Sequence, residues 1–277
     1  MNEWKALQQL GITPSITAHP LCPITTPYDV KFNHSLEEML RNGSVGVGFG
    51  ATIARQEAHY KLHLHDLRHP NIFMAKLKAI KSYYIGVDVS EEELALYMQS
   101  AKEMVSLIDI DWKVNYLENR DELIFEGAQG ILLDMDHGFF PNVTRSNTTS
   151  KNAFLLSEDE DDIYYVTRCY QTRHGAGFMT NEMDNLGLEN NQNETNIYTP
   201  WQGKLRTGKI DLDLINYAMD CDHIYHPDTE RNINLVVTCL DQLPDFDIDD
   251  FIDDLEYEFD NVYVSRGPSL SDMEHYS

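Results

Sequence analysis

The sequence has 277 residues, 42% of them hydrophobic, which is enough for one large domain or two small ones with a sizeable core. Its 46 acidic residues against 21 basic ones give a net charge of −25. Such a chain repels phosphate groups, so we do not expect it to bind nucleic acids or anionic membranes. The four cysteines form no CxxC pair, and neither a signal-peptide pattern nor a bilayer-spanning run is present. We therefore predict reduced thiols and a cytoplasmic protein with no membrane or nucleic-acid partner.

The first half of the chain is predicted to be mainly helical. The prolines in residues 19–29 predict a loop. The spacing of apolar residues predicts helices at 36–41, 71–81 and 91–108. The glycine-rich stretch 42–55 runs into another helical pattern. Its glycines favour either a backbone cradle for a phosphate or a tight structural turn, and the sequence leaves both interpretations open.

The second half alternates strand-like and helical patterns. This alternation predicts an α/β fold with a mostly parallel central sheet flanked by helices, and ligands beyond the carboxyl ends of its strands. Residues 157–162 are a charge run expected to be solvated, and 190–196 are a polar loop. The pattern predicts a strand with a glycine turn at 122–130, a strand or helix at 163–173, a buried strand ending on an acid at 234–243 and a strand with a Gly-Pro turn at 261–268. It also predicts an amphipathic helix at 245–259, with one apolar face formed by Ile248, Phe251, Ile252, Leu255 and Phe259.

Two segments carry histidine in patterns that suit a metal. His59 and His63 have the i, i+4 spacing of ligands on one helix face, and His65 and His69 follow; the alternative is exposed or core-edge histidines. The sequence DMDHG at 134–138 places two carboxylates beside a histidine, and its alternative is an Asx-type turn.

The concentrated basic stretch is QGKLRTGK, residues 202–209, which carries Lys204, Arg206 and Lys209. An arginine fork matches a carboxylate or a phosphate, and cations are scarce in so acidic a chain. We interpret this stretch as an anion-binding loop, with a solubilising loop as the alternative.

Several of these motifs, taken together, resemble the adenylosuccinate synthetase family. The most specific are FEGAQGILLDMDHG at 125–138 with Pro141 and VTRSNTT at 143–149. The order continues with YQTRHGAG at 170–177, GKLRTG at 203–208, TCLDQL at 238–243 and VSRGP at 264–268. The resemblance spans nearly the whole chain with shortened loops, and it implies one adenylosuccinate-synthetase-like domain over residues 1–277.

The resemblance implies a ligase. In the family a nucleoside triphosphate phosphorylates the purine 6-oxygen, the amine of L-aspartate then displaces that phosphate, Mg²⁺ neutralises charge, and the enzyme is a dimer. Position by position, the resemblance implies purine-nucleotide contacts at Ser44, Gln129, Thr144 and His174, aspartate contacts at Lys204, Arg206 and Thr207, and triphosphate-base contacts at Asp241, Ser265 and Gly267.

The departures from the family pattern matter as much. The family's Gly-Asp-Glu-Gly-Lys-Gly phosphate loop, with its catalytic Asp, and the catalytic His that follows have no counterpart. We therefore assign no catalytic residue and no metal ligand. We expect the N-terminal phosphate-loop portion to be absent and the chain alone not to turn over. The phosphate segment at 44–48 lacks the family's second Thr and its Arg, and Cys239 replaces the guanine-reading Lys. The basic residue that the family donates across the dimer has no clear match; an ungapped alignment puts His59 at its position.

These departures favour the phage-type branch, which converts dGMP to 2-aminoadenylosuccinate and accepts ATP or dATP. An enzyme that uses IMP, with GTP as the triphosphate, is the alternative subtype. Two other classes stay open: an inactive relative that binds nucleotide or a partner subunit, and a metal-dependent hydrolase built on the histidine-rich segment.

Overall fold

The computed structural model describes residues 2–112, 122–157, 162–189, 198–226 and 231–276. The chain divides into two compact units, residues 1–41 with 45–123 and residues 42–44 with 124–277. Each unit has its own hydrophobic core. A single domain over the whole chain stays a prediction. Most of the acidic run and the whole polar loop at 190–196 lie outside the described residues.

The first unit consists mainly of helices packed around a leucine-rich core. Thr26 and Ser90 cap the helices that follow them, each with a carboxylate three residues later that completes a capping box. In the described part of the chain, no helix combines the length and apolar character needed to cross a bilayer. The elements are α1 (Asn2–Gln9), parallel strands β1 (Ile16–Ala18) and β2 (Ile108–Ile110), α2 (Pro27–Leu40), α3 (Phe49–Glu57), a 3-10 helix (Leu64–Arg68), α4 (Pro70–Tyr83) and α5 (Glu91–Leu107).

The predicted helices at 71–81 and 91–108 are confirmed by α4 and α5. The helix predicted at 36–41 exists but begins earlier, at Pro27, so the end of the predicted 19–29 loop is helical. The reason is local: proline is favoured at the first helical position, and Thr26 with Asp29 provides the capping box.

A buried ion pair lies at the centre of the first unit. Asp29 and Arg55 are both fully buried, with Arg55 Nε 2.8 Å from Asp29 Oδ1. Tyr84 also donates to Oδ1, at 2.7 Å, and its pKa is raised by burial and by that hydrogen bond. The remaining Arg55 donors reach the carbonyls of Tyr60 and Ile24 at 2.6 and 2.8 Å. The pair is therefore well hydrogen-bonded, as a charge pair excluded from water must be.

The second unit contains a four-stranded sheet and a three-stranded sheet. The four-stranded sheet is mostly parallel, with one antiparallel edge strand, and two helices contribute to its core. Its strands are, in spatial order, β3 (Ile163–Arg168), β7 (Ile233–Thr238), β8 (Asn261–Ser265) and β9 (Met273–Tyr276); the antiparallel sheet is β4 (Tyr170–His174), β6 (Leu205–Lys209) and β5 (Glu182–Met183). The helices are α6 (Lys151–Phe154), α7 (Leu212–His223), α8 (Ile248–Asp253) and 3-10 helices at Ile131–Leu133 and Leu270–Asp272.

The predicted α/β class is therefore correct, but two of its elements need correction. The strand predicted at 122–130 is wrong: residues 122–127 belong to no described ladder, and Ile124 is 93% exposed. A run of apolar residues cannot report whether a neighbouring strand is present. The helix predicted at 245–259 is confirmed only as α8, Ile248–Asp253. Carboxylates at its end, Asp253 and Asp254, are unfavourable at a helix C-terminus, although Leu255 still packs inside.

Candidate functional site

Gln129 and Thr144 lie together in the second unit. Gln129 Nε2 donates to Thr144 Oγ1 at 3.4 Å, and the Thr144 amide donates to the Leu133 carbonyl at 2.8 Å. Gln129 has a left-handed φ of 63°, which is uncommon for a residue with a side chain. The loop thus places an amide and a hydroxyl side by side where a polar ligand can reach them.

The carboxylate of Asp134 organises this loop from inside. It is fully buried, and its oxygens accept backbone N–H groups from Asp136 at 2.8 Å, His137 at 3.3 Å and Thr148 at 2.5 Å. Burial alone would raise the pKa of Asp134, but these three hydrogen bonds outweigh it and lower the pKa. The predicted Asx-type turn is confirmed, and Asp134 acts as the support of the loop.

Three segments meet where Gly43 and Gly175 approach each other closely. A Cβ atom on Gly43 would lie 2.7 Å from the amide nitrogen of Ala176, so no side chain fits there. Asn142 fastens the third segment: its Nδ2 donates to the Asn42 carbonyl at 3.1 Å, and its own carbonyl accepts from Arg173 at 2.9 Å. The contact joins residues 42–44, the loop before Thr144 and the end of β4.

Two further predicted nucleotide contacts flank this glycine contact. Ser44 directly follows Gly43, and His174 directly precedes Gly175. Both ring nitrogens of His174 are buried, and neither has a hydrogen-bond partner among the described residues. A buried polar atom without a partner is costly, and a ligand hydroxyl or phosphate oxygen would satisfy it.

Arg206 extends the cluster to the predicted aspartate contacts. Its Nη1 donates to the carbonyls of Gly175 and Gly177, both at 3.0 Å, while its Nε and Nη2 form a fork on Glu182. Thr207 follows on β6, and Lys204 lies exposed just before that strand. The predicted nucleotide and aspartate residues His174, Arg206 and Thr207 therefore lie close together where β4 pairs with β6.

Sequence reasoning missed two residues of this cluster. Arg173 is the register partner of Arg206, and burial together with the neighbouring Arg206 charge lowers the pKa of Arg173. Glu182 occupies the Arg206 fork, with Arg206 Nε 2.7 Å from Oε1. The sequence could have identified Arg173, because this residue belongs to the motif YQTRHGAG. It could not have identified the contact between Arg206 and Glu182, because that contact depends on strand pairing.

The predicted triphosphate-base residues lie at the carboxyl ends of β7 and β8. The amide of Leu240 donates to the Ser265 carbonyl at 3.1 Å, and Ser265 Oγ donates to the Gly267 carbonyl at 2.8 Å. A Cβ on Gly267 would lie 2.6 Å from Asp272 Oδ2, so a side chain there requires a shift. Asp241 is exposed, and its Oδ2 accepts from Gln242 Nε2 at 2.8 Å.

Strand β4 connects this edge with the glycine contact. Cys169, just before β4, donates its amide to Thr238 at 3.0 Å and its thiol to the Cys239 carbonyl at 3.1 Å. At the other end of the five-residue strand stands His174. All ten predicted contact residues thus belong to the second unit, in two groups separated by the length of β4.

The later part of the glycine-rich loop serves packing. The Gly48 amide donates to Asn33 Oδ1 at 3.2 Å, and a Cβ on Gly48 would lie 2.8 Å from the Val30 nitrogen. His34 Nε2 lies 2.8 Å from the Gly46 carbonyl. These contacts favour the structural-turn interpretation for residues 46–48.

Comparison with known proteins supports the motifs quoted above. A family profile described as adenylosuccinate synthetase matches residues 1–262. The adenylosuccinate synthetase of Actinobacillus succinogenes is 31% identical over 210 residues, which cover 68% of this chain and 49% of that protein. That of Vesicomyosocius okutanii is 33% identical over 192 residues, 63% of this chain and 44% of its own length. The chain spans about half the length of the curated relatives it matches.

Two solved structures share the fold. The fully ligated adenylosuccinate synthetase of Plasmodium falciparum superposes with a TM-score of 0.59 at 22% identity, covering 78% of this chain and 52% of that one. The succinoaminodeoxyadenylate synthetase of cyanophage S-2L, bound to dGMP and dATP as an energy donor, superposes with a TM-score of 0.61 at 14% identity, covering 99% and 72%.

Proposed function

Because this chain belongs to the adenylosuccinate synthetase family, we propose that it is a purine-nucleotide–aspartate ligase. It would join L-aspartate to C6 of a 6-oxopurine nucleoside monophosphate with the help of a nucleoside triphosphate. The observation that carries the proposal is the convergence of Gln129 with Thr144, the Gly43–Ala176 contact and Arg206 in one cluster.

The chemistry needs a site that binds several anions at once. Transfer of a phosphoryl group to the purine 6-oxygen makes a good leaving group, and the aspartate amine then displaces it at C6. In a chain with net charge −25, two adjacent arginines, Arg173 and Arg206, supply the local positive charge. Gln129 and Thr144 would hold the nucleotide, and Arg206 with Lys204 and Thr207 would hold the aspartate carboxylates.

Mg²⁺ is implied by the family, where it neutralises charge on the transferring phosphoryl group. Asp134 does not fit as its ligand, because it is fully buried and both of its oxygens accept backbone N–H groups. Asp136 is exposed, and its Oδ2 accepts from Asn147 at 2.9 Å. No step of the proposed reaction is assigned to a metal held by Asp134.

For the substrates, we propose dGMP as the acceptor and ATP or dATP as the donor, with IMP and GTP as the alternative pair. The support is Cys239 at the position of the family's guanine-reading lysine, in a left-handed conformation with φ 64° beside Asp241. The cyanophage protein of similar fold binds dGMP and dATP. A homodimer and a cytoplasmic location complete the proposal.

Calorimetric titration of the chain with dGMP, IMP and dCMP tests the proposal. We expect a purine monophosphate to bind with a stoichiometry of one and dCMP not to bind; equal binding of all three would contradict the assignment. Release of phosphate that requires nucleotide, triphosphate and L-aspartate together would demonstrate the ligase and would contradict the expectation that this chain alone does not turn over. Purine binding without such release would agree with that expectation and would leave a relative that binds nucleotide without catalysing as the alternative.

The Gln129–Thr144 pair gives a direct prediction. Gln129→Ala and Thr144→Val should each weaken binding of the purine monophosphate about tenfold, because each removes a hydrogen bond to the ligand. Thr144→Ser keeps the hydroxyl and should bind as the native chain does. Gln99→Ala, an exposed residue of α5, is the matched control. Unchanged affinity in Gln129→Ala and Thr144→Val would place the nucleotide elsewhere.

Substitution of Glu182 is expected to strengthen ligand binding rather than weaken it. Its carboxylate occupies the Arg206 fork that aspartate would need, so Glu182→Gln should tighten L-aspartate binding about threefold, the scale of an exposed ion pair. Titration of nucleotide-loaded protein with L-aspartate measures this. Glu189→Gln, outside the cluster, is the control, and weaker aspartate binding in Glu182→Gln would argue that Glu182 itself positions the amine.

A further inference from the structure

The first unit gathers a second group of polar side chains that the proposed ligase does not use. Ligand atoms of His63, His65 and Asp66 all lie within 4.8 Å of one another. The helical pairing of His59 with His63, one of two interpretations that the sequence left open, does not form, because α3 ends at Glu57 and His59 has a left-handed φ of 68°. The tertiary structure replaces it with a tighter group of different composition.

His65 is oriented as a metal-binding histidine requires. Its Nδ1 lies 3.1 Å from the Pro20 carbonyl, which can only accept, so Nδ1 carries the proton. Its Nε2 lies 3.4 Å from Asp66 Oδ1, so this ring nitrogen and the carboxylate approach the same point. A backbone carbonyl on the far nitrogen is the usual support of a ligating imidazole.

Asp66 and His63 complete the group. Asp66 Oδ2 accepts from Lys76 Nζ at 2.6 Å and from the His63 amide at 2.8 Å, and its Oδ1 is the oxygen nearer to His65. The carboxylate is buried, and the two histidines are half-buried.

We propose that His63, His65 and Asp66 bind one divalent transition-metal ion such as Zn²⁺. Two imidazoles and one carboxylate suit zinc and its neighbours better than Mg²⁺ or Ca²⁺, which prefer oxygen ligands. Bonds of roughly 2.0–2.2 Å require the three ligand atoms to close by about 1 Å, which side-chain rotation allows. All three ligands lie in residues 63–66, so the ion would stabilise the start of the 3-10 helix Leu64–Arg68, beside Pro20 and Pro23.

Two residues near the proposed site make it testable: Trp112 can report ion binding, and Lys76 should oppose it. The Trp112 ring lies 5.7 Å from the His65 ring, close enough for a paramagnetic ion at the site to quench its fluorescence. Lys76 is a cation on the same carboxylate, so it must oppose the ion. Removing its charge should raise metal affinity about tenfold, as expected for like charges about 5 Å apart.

The test uses the untagged full chain at pH 7.5, titrated with Co²⁺ and then with competing Zn²⁺. We expect one ion per chain, visible Co²⁺ absorption and quenching that disappears in Trp112→Phe. His63→Ala and His65→Ala should each lose at least about tenfold in affinity. His69→Ala, an exposed histidine outside the group, is the matched control and should bind as the native chain does.

The Lys76→Met variant controls for misfolding, because a variant that has lost its structure cannot bind the metal ion more tightly than the native chain. Tighter binding in Lys76→Met together with weaker binding in the histidine variants supports the site. Absence of stoichiometric binding, or binding that survives in the double variant His63→Ala/His65→Ala, would overturn it. These outcomes are independent of nucleotide binding.

Discussion

Replacing Arg55 with methionine is expected to destabilise the first unit by about 3–5 kcal/mol, because it leaves a buried charge without its partner. Asp29 is fully buried, and Arg55 supplies contacts to it at 2.8 and 3.2 Å. The change also leaves the carbonyls of Tyr60 and Ile24 without their donor. Urea unfolding followed by tryptophan fluorescence in a Trp201→Phe background measures this unit, since Trp4 and Trp112 both belong to it.

Two further variants make this prediction specific. Lys31→Met breaks an ion pair with Glu93 that is more than one-third exposed on both sides, so its unfolding midpoint should stay at the native value. The double variant Asp29→Leu/Arg55→Met should recover part of the loss of Arg55→Met, because no charge is left buried and unpaired. A midpoint for Arg55→Met equal to that of Lys31→Met would refute the structural role.

The second large effect is expected from Asp134→Ala, which should cost on the order of 3 kcal/mol and abolish binding of the purine monophosphate. The substitution leaves three backbone N–H groups without their common acceptor, those of Asp136, His137 and Thr148. Hydrogen exchange measured by mass spectrometry should rise across residues 131–149. Asp136→Ala, two positions away and exposed, should have little effect on exchange or stability.

The same carboxylate predicts how stability depends on pH. The folded state lowers the pKa of Asp134, so its contribution is fully present above the unfolded pKa of about 3.9 and is lost as pH falls through the lower folded value. Native chain should therefore lose stability between about pH 5 and the acid limit. Asp134→Asn should show a shallower loss over that range; identical profiles would mean that other acids control it.

Local chemistry in the sequence was sufficient for several features. The Asx-type turn at Asp134, the cores of α4 and α5 and the buried strand β7 followed from side-chain chemistry and apolar spacing, which act over a few residues. The early start of α2 was also readable from Pro27 and its capping box. Specific motifs such as FEGAQG indicated the family, which the family profile confirms.

The sequence by itself determined the family and the α/β class and predicted residues for a nucleotide site, because these depend on local patterns. Only the tertiary structure decided which of them meet: Arg55 with Asp29 across 26 positions, Arg206 with Glu182, and His63 with Asp66 instead of His59. It also left residues 122–127 unpaired despite their apolar character. The physical reason is that hydrogen bonds and ion pairs between distant residues depend on how strands and helices pack, which spacing along the chain does not encode.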